Sequence, residues 1–195
     1  ALDPPVSLLA WLVRNLKPPA GASTIDSQRQ LLLEYDPAAV AGALRLLRTD
    51  GGEGGWCIFE GQTFPDALLV TPDALIVVEG KRTEAGPTES TTWLTGRHQI
   101  WRHIDAAWEI RGRRHVFGLF IVEGDGSGDV PPVWRTAIQA ALTPETLTSS
   151  FPHRGPEERE AIARCLLGVT TWQHVCTHFG IDFTSLPGEL ADSRT

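Results

Sequence analysis

The apolar positions along the chain fall into two periods. Residues 6–16, VSLLAWLVRNL, repeat apolar side chains at helical spacing and stop at Lys17-Pro18-Pro19, which predicts a helix. A second helix is predicted from about Asp26 through Gln30 to Glu34. Asp36-Pro37 reads as an N-cap followed by Pro at the first helical position, opening a third helix to about Arg48. After the turn TDGGEGG at 49–55 the pattern changes. WCIFE (56–60) alternates in part, whereas ALLV (67–70) and ALIVV (74–78) are apolar throughout. Thr71-Pro72-Asp73 between the last two is a turn signal, so they are predicted to pair as a hairpin. Strands apolar on both faces are expected to be central, with helices on each side. The second of them runs into Glu79-Gly80-Lys81-Arg82. A polar stretch at 83–92 precedes a helix from Trp93 to about Arg111, with Ile100, Ile104, Ala107 and Trp108 on one face. HVFGLFIV (115–122) is predicted as a fourth strand, followed by an acidic loop at 124–128. From Val133 to about Phe179 the pattern is helical, in pieces broken at Pro144 and at Phe151-Pro152 to Gly155-Pro156, and the last ten residues read as a frayed tail.

This order predicts an α/β fold: a small mixed β-sheet in an α-β-β-β-α-β core, flanked by helices, with a hairpin and one strand added through a crossover helix. A chain of 195 residues is expected to form one domain. Its parts would be a helical extension (1–24), the α/β core (25–130) and a C-terminal helical region (131–195). The composition is 42% hydrophobic and 21% charged, that of an ordinary globular protein, which excludes a disordered chain, a collagen or a coiled coil. The longest apolar runs are about six residues, against roughly 20 for a membrane span, and no basic leader precedes the first of them. Three widely spaced cysteines, Cys57, Cys165 and Cys176, predict no disulfide framework and fit a cytoplasmic protein. His174 and His178 stand four residues apart near Cys165 and Cys176. They lack a Glu after the first His and any Cys-x-x-Cys pair, so they read as structural residues, not a zinc site. Neither a phosphate-binding loop nor a Gly-x-Ser-x-Gly elbow is present.

Charge changes the picture twice. The net charge of −7 argues against a purely electrostatic nucleic-acid binder. Yet between Arg97 and His115 five Arg (97, 102, 111, 113 and 114) oppose only Asp105 and Glu109. That is either a phosphate-binding patch or a solvated helix face. Of the 17 basic residues only Lys17 and Lys81 are lysines, so a Lys at the end of an apolar strand calls for an explanation.

Lys81 belongs to the informative segment, FPDALLVTPDALIVVEGKR, Phe64 to Arg82. A hairpin centred on Pro72 places Asp66 opposite Val78, one position from Glu79, and a small register shift or the sheet twist brings both carboxylates to one edge. Facing residues lie about 5 Å apart. Glu79 and Lys81 are two apart on one strand and point to the same face. Two carboxylates with open neighbouring positions make a hard oxygen site of the kind Mg²⁺ uses. The ammonium beside it could orient a water or offset charge on a phosphate. Asp73 lies roughly 20 Å away along the strand and belongs to the turn. The purely structural alternative is a strand-end salt bridge between Glu79 and Lys81, with Asp66 as a cap.

Pro65-Asp66, a hairpin, and Glu79-Gly80-Lys81 after an apolar strand resemble the motif of the PD-(D/E)xK nuclease superfamily, the restriction-endonuclease-like fold. The motif covers residues 65–81, and the order of elements over about 26–123 is similar to the family core. The resemblance implies hydrolysis of phosphodiester bonds in nucleic acid, DNA above all, assisted by Mg²⁺ or Mn²⁺. It implies Asp66, Glu79 and the Gly80 carbonyl as metal ligands and Lys81 beside the attacking water. A Glu from the first core helix often joins the family site. Glu34 is the candidate, with Glu53 of the Gly-rich turn as the alternative. Some members carry Gln-x-x-x-Tyr on the following helix. Here Gln99 matches and His103 stands in the Tyr position, sharing a helix face with Arg102 beside them. Gln99 is thus expected in the catalytic group, and Arg97, Arg102 and His103 as substrate contacts. Trp93 and Trp101 read as core residues ahead of base-stacking ones. The acidic remainder suits an enzyme brought to its substrate by an activating partner or as a homodimer. The alternative is a non-catalytic module that binds protein or nucleic acid on a nuclease-like scaffold, supported by the acidic pI and the replaced Tyr.

Overall fold

Strand β2 (Ala74–Lys81) lies inside the sheet and carries Glu79, Gly80 and Lys81 at its C-terminal end. The computed structural model describes residues 1–15, 60, 62–89, 91 and 94–186. Beside β2 run β1 (Ala67–Val70), antiparallel, and β3 (His115–Val122), parallel. The strand β4 (Leu166–Thr171) runs parallel to β3 on its far side, giving the order β1-β2-β3-β4. The helices are α1 (Val6–Asn15), α2 (Gln99–Ile110), α3 (Pro132–Ala141), α4 (Pro144–Ser150), α5 (Pro156–Ala163) and α6 (Trp172–Phe179), followed by a 3₁₀ turn (Phe183–Ser185). Among the described residues the chain is therefore mixed α/β, with an open four-stranded mixed sheet and six helices. None of these helices is long and apolar enough to cross a membrane.

The hairpin register differs from the expected one by a single position. Ala67 faces Val78 and Val70 faces Leu75. The turn is closed by Thr71, whose N–H donates to the Ala74 carbonyl and whose Oγ1 accepts from Ala74 N–H at 2.9 Å. Its centre thus falls between Pro72 and Asp73 instead of on Pro72. This moves Asp66 level with Glu79.

Along β2 the side chains alternate, and Leu75, Val77 and Glu79 form its buried row. Val116, Phe120 and Val122 continue that face on β3. Helix α2 lies on it with Ile100, Trp101, Ile104 and Ala107 buried. Gly118 interrupts the row because a Cβ there would stand 2.3 Å from Ile104 Cδ1. The missing side chain lets α2 approach the sheet. Trp134 and Ile138 of α3, Leu147 of α4, Phe151 and Ile162 complete this core.

Three expectations are corrected. The β1 strand is exposed along its length and stands at an edge of the described sheet, so its apolar composition does not mark a central strand. Residues 166–171, within the stretch predicted to be helical, form β4. There Val169-Thr170-Thr171, β-branched, pair with the open edge of β3. Helix α2 starts at Gln99, not Trp93, because Leu94–His98 turn through Gly96 at φ +85°. The helices predicted at 26–34 and 37–48, the strand at 56–60 apart from Glu60, and nearly all of the tail lie outside the described residues.

Candidate active site

The buried row of β2 delivers a carboxylate to the rim of the core. Glu79 is the last buried residue of the row Leu75, Val77, Glu79, and it is 2% exposed. Lys81, two residues on, shares its face, and its Nζ lies 2.7 Å from Glu79 Oε1. From the first turn of α2, Gln99 Nε2 donates a short hydrogen bond to the same oxygen. One turn later His103 Nε2 lies 3.0 Å from Glu79 Oε2, while its Nδ1 lies 2.6 Å from Thr63 Oγ1. A ring protonated on Nε2 can give to Glu79 and accept from the Thr63 hydroxyl at once. Burial opposes ionisation of Glu79, but the hydrogen bonds of His103 and Lys81 outweigh it and hold the carboxyl below its ordinary pKa. Burial likewise opposes charge on Lys81. Its pairing with Glu79 and the charges of Glu84 and Asp66 outweigh that and raise its pKa. Lys81 is a cation at neutral pH.

Asp66 stands beside this group, just before β1. Its Oδ2 accepts the Gly80 N–H at 2.7 Å. The Lys81 carbonyl accepts from Glu123 N–H on the β3 side. Successive backbone groups of a strand alternate in direction, so the Gly80 carbonyl faces the β1 side, where Asp66 is. Asp66, Gly80 and Glu79 thus offer oxygen donors along one strand end. Gln99 Oε1 is buried there without a hydrogen-bond partner. An all-oxygen donor set with an orphaned acceptor fits Mg²⁺ or Mn²⁺. Among the described residues no three His, Cys, Asp or Glu group together as metal ligands. Water and substrate oxygens would fill the remaining positions.

The structure brings together Asp66, Glu79, Gly80, Lys81 and Gln99. Glu34, Glu53, Cys57 and Trp93 lie outside the described residues. The expected substrate contacts are placed differently. Arg97 is completely buried, holding Glu60 at 2.9 Å and Asp105 at 2.8 Å and donating to the Ser150 carbonyl. It presents no surface to a substrate. His103 is 2% exposed and faces Glu79, so it acts on a carboxylate instead of a substrate. Arg102 is partly exposed and pairs with Glu60 at 3.2 Å. Arg111 lies over the Trp108 ring at 3.6 Å. The positive charge read in the sequence around α2 is largely neutralised inside the fold. Trp101 is core, with its Nε1 donating to the Ala141 carbonyl. His174 is exposed and lies 3.8 Å from Asp129.

Four contributing residues escaped sequence reading. Thr63 and Glu60 act from just before the motif. Glu84, in the loop after β2, lies 3.5 Å from Lys81, a spacing that a search for carboxylates near Lys81 would have found. Trp172 reaches the site from more than ninety positions away: a Cβ on Gly80 would stand 2.9 Å from its Cζ2. No protein-family model matches the chain, and no curated protein or solved structure does. The local geometry therefore carries the functional reading.

Proposed function

We propose that this chain is a metal-dependent nuclease of the restriction-endonuclease-like kind, hydrolysing phosphodiester bonds with DNA as its favoured substrate. One observation carries the reading: Gln99, Lys81 and His103 converge on the single carboxylate of Glu79, with Asp66 held at the adjacent Gly80. A strand-end salt bridge accounts for Lys81 and Glu79 alone. It does not account for two more polar groups, from another element, turned onto the same buried carboxylate.

In this reading Asp66, Glu79 and the Gly80 carbonyl hold the cation. Bound Mg²⁺ polarises the scissile phosphate and lowers the pKa of an attacking water. Lys81 orients that water through its ammonium and offsets the charge that grows on the phosphate. Gln99 and His103 fix the Glu79 oxygens, leaving less motion to freeze when substrate arrives.

The test is cleavage of circular and linear DNA, single- and double-stranded, with Mg²⁺, with Mn²⁺ and with chelator. Wild type should cut only with metal, and Lys81→Ala should lose roughly 100-fold or more of the rate while melting as wild type does. Cleavage retained in Lys81→Ala removes the assigned site. Absence of both cleavage and metal binding in the wild type points instead to a binding module.

A further inference from the structure

Resting on the nuclease reading, the structure leads to a statement about its substrate. We propose that Trp172 and Phe64 form a stacking subsite for an unpaired nucleobase beside the scissile phosphate, so that the site takes single-stranded or locally opened DNA.

Both aromatics border Asp66. Trp172 Cζ2 and Asp66 Oδ2 lie 2.9 and 3.6 Å from the point where a Gly80 Cβ would be. Gly80 is thus the residue that admits the indole to the strand end. Trp172 opens α6 and is fixed there from three sides. Thr171 caps the helix by accepting from His174 N–H at 3.1 Å and donates to the Gly128 carbonyl at 2.9 Å, and Gln173 Oε1 accepts from Gly124 N–H at 2.9 Å. The indole itself is only partly buried, and its Nε1–H is buried without an acceptor. Packing alone would favour a side chain without that unmet donor. Phe64 stands two residues before Asp66, within about 7 Å along the chain, and is 68% exposed. A large ring left in solvent beside a candidate site invites a flat apolar occupant.

The charge distribution favours the same substrate. Duplex binding draws on many contacts between cations and phosphates. Here the net charge is −7, Arg97 is enclosed, Arg102 pairs with Glu60, and Arg82 pairs with Glu123 at 2.8 Å. Affinity from stacking needs no such cations, since every base has a π-face.

The experiment measures binding of fluorescein-labelled oligothymidylate, alone and annealed to oligodeoxyadenylate, without divalent cation so that no cleavage occurs. A parallel Mg²⁺ titration by calorimetry reports the carboxylate site. Trp172→Ala should weaken single-strand binding roughly 5- to 100-fold, and Trp172→Phe should restore most of it. Phe64→Ala should weaken it in the same direction without lowering the melting temperature. Binding to the single strand should fall only shallowly with salt and should exceed binding to the duplex. Unchanged affinity in Trp172→Ala and Phe64→Ala, or tighter binding to duplex with a steep salt slope, overturns the subsite. Should Trp172→Ala not fold, Trp172→Phe and Phe64→Ala decide. A wild type that takes up Mg²⁺ but no oligothymidylate also overturns the subsite while leaving the metal reading in place. A wild type that binds neither overturns both.

Discussion

Arg97 and Lys81 are both buried cations beside carboxylates, yet they do different work. Arg97 spans Glu60 and Asp105, with no exposed surface, and neither acid has a route to solvent. Arg97→Ala would strand two buried charges, and a loss of about 3–5 kcal/mol in urea unfolding is expected. A loss under about 1 kcal/mol would mean the cluster relaxes or takes up water. Lys81 keeps 14% of its side chain exposed and has Glu84 as a second partner, so its removal should cost activity instead of stability. Gln99 acts through Glu79 and is a positioning residue. Gln99→Ala should weaken Mg²⁺ binding about 10- to 100-fold by calorimetry, while the melting temperature holds. Unaltered Mg²⁺ affinity would leave Gln99 with no part in the site. At this scale the motif residues Asp66, Glu79 and Lys81 were legible because strand spacing alone brings them close. The role of Arg97 was not. Its partners Glu60 and Asp105 lie 37 and 8 positions away, and a count of local charge takes a cation for a surface one until its neighbours are known.

Among elements, the contact of α2 with β3 sets the distance from Gln99 and His103 to Glu79. Gly118 makes that contact possible, since a Cβ there would meet Ile104 Cδ1 at 2.3 Å. Gly118→Ala is expected to cost about 1–3 kcal/mol by overpacking, lowering the melting temperature by roughly 2–10 °C. It should also reduce cleavage by lifting α2 from the sheet. An unchanged melting temperature would show that Ile104 rotates aside freely. Helix α1, the hairpin and β3 could be read from periodicity because each carries its pattern within a few residues. The β4 strand could not. LLGVTT is short and follows helix α5 by two residues, and its strand geometry comes from the edge of β3.

For the whole molecule, acid stability is the property that the buried polar groups decide together. Burial pushes the His98 imidazole down to about 4. The unfolded ring holds a proton below about pH 6.5, whereas the folded one takes it up only near pH 4. Between those values the unfolded state binds more protons, so stability falls as pH drops through that window, by about 3 kcal/mol in all. His153, depressed first by burial and set 3.2 Å from Asp105, adds in the same direction. Burial alone would raise Asp105, but Arg97, then His153 and Arg154, hold it at about 2. Its contribution is present above about pH 4 and is lost as pH falls toward 2. Urea unfolding from pH 7 to pH 4 should therefore show a steeper loss in wild type than in His98→Leu. Equal slopes in the two would take His98 out of the account.

The amino-acid sequence by itself determined the hairpin, its strand-end motif and the α/β class, because these depend on neighbours a few residues apart and on the two periods of the backbone. Tertiary structure alone decided which cations are free, where the fourth strand lies, and which aromatic ring borders Asp66. Each of those depends on burial or on pairing across tens of residues, and the field and packing at a side chain are set by what the fold brings to it, not by what precedes it in the chain.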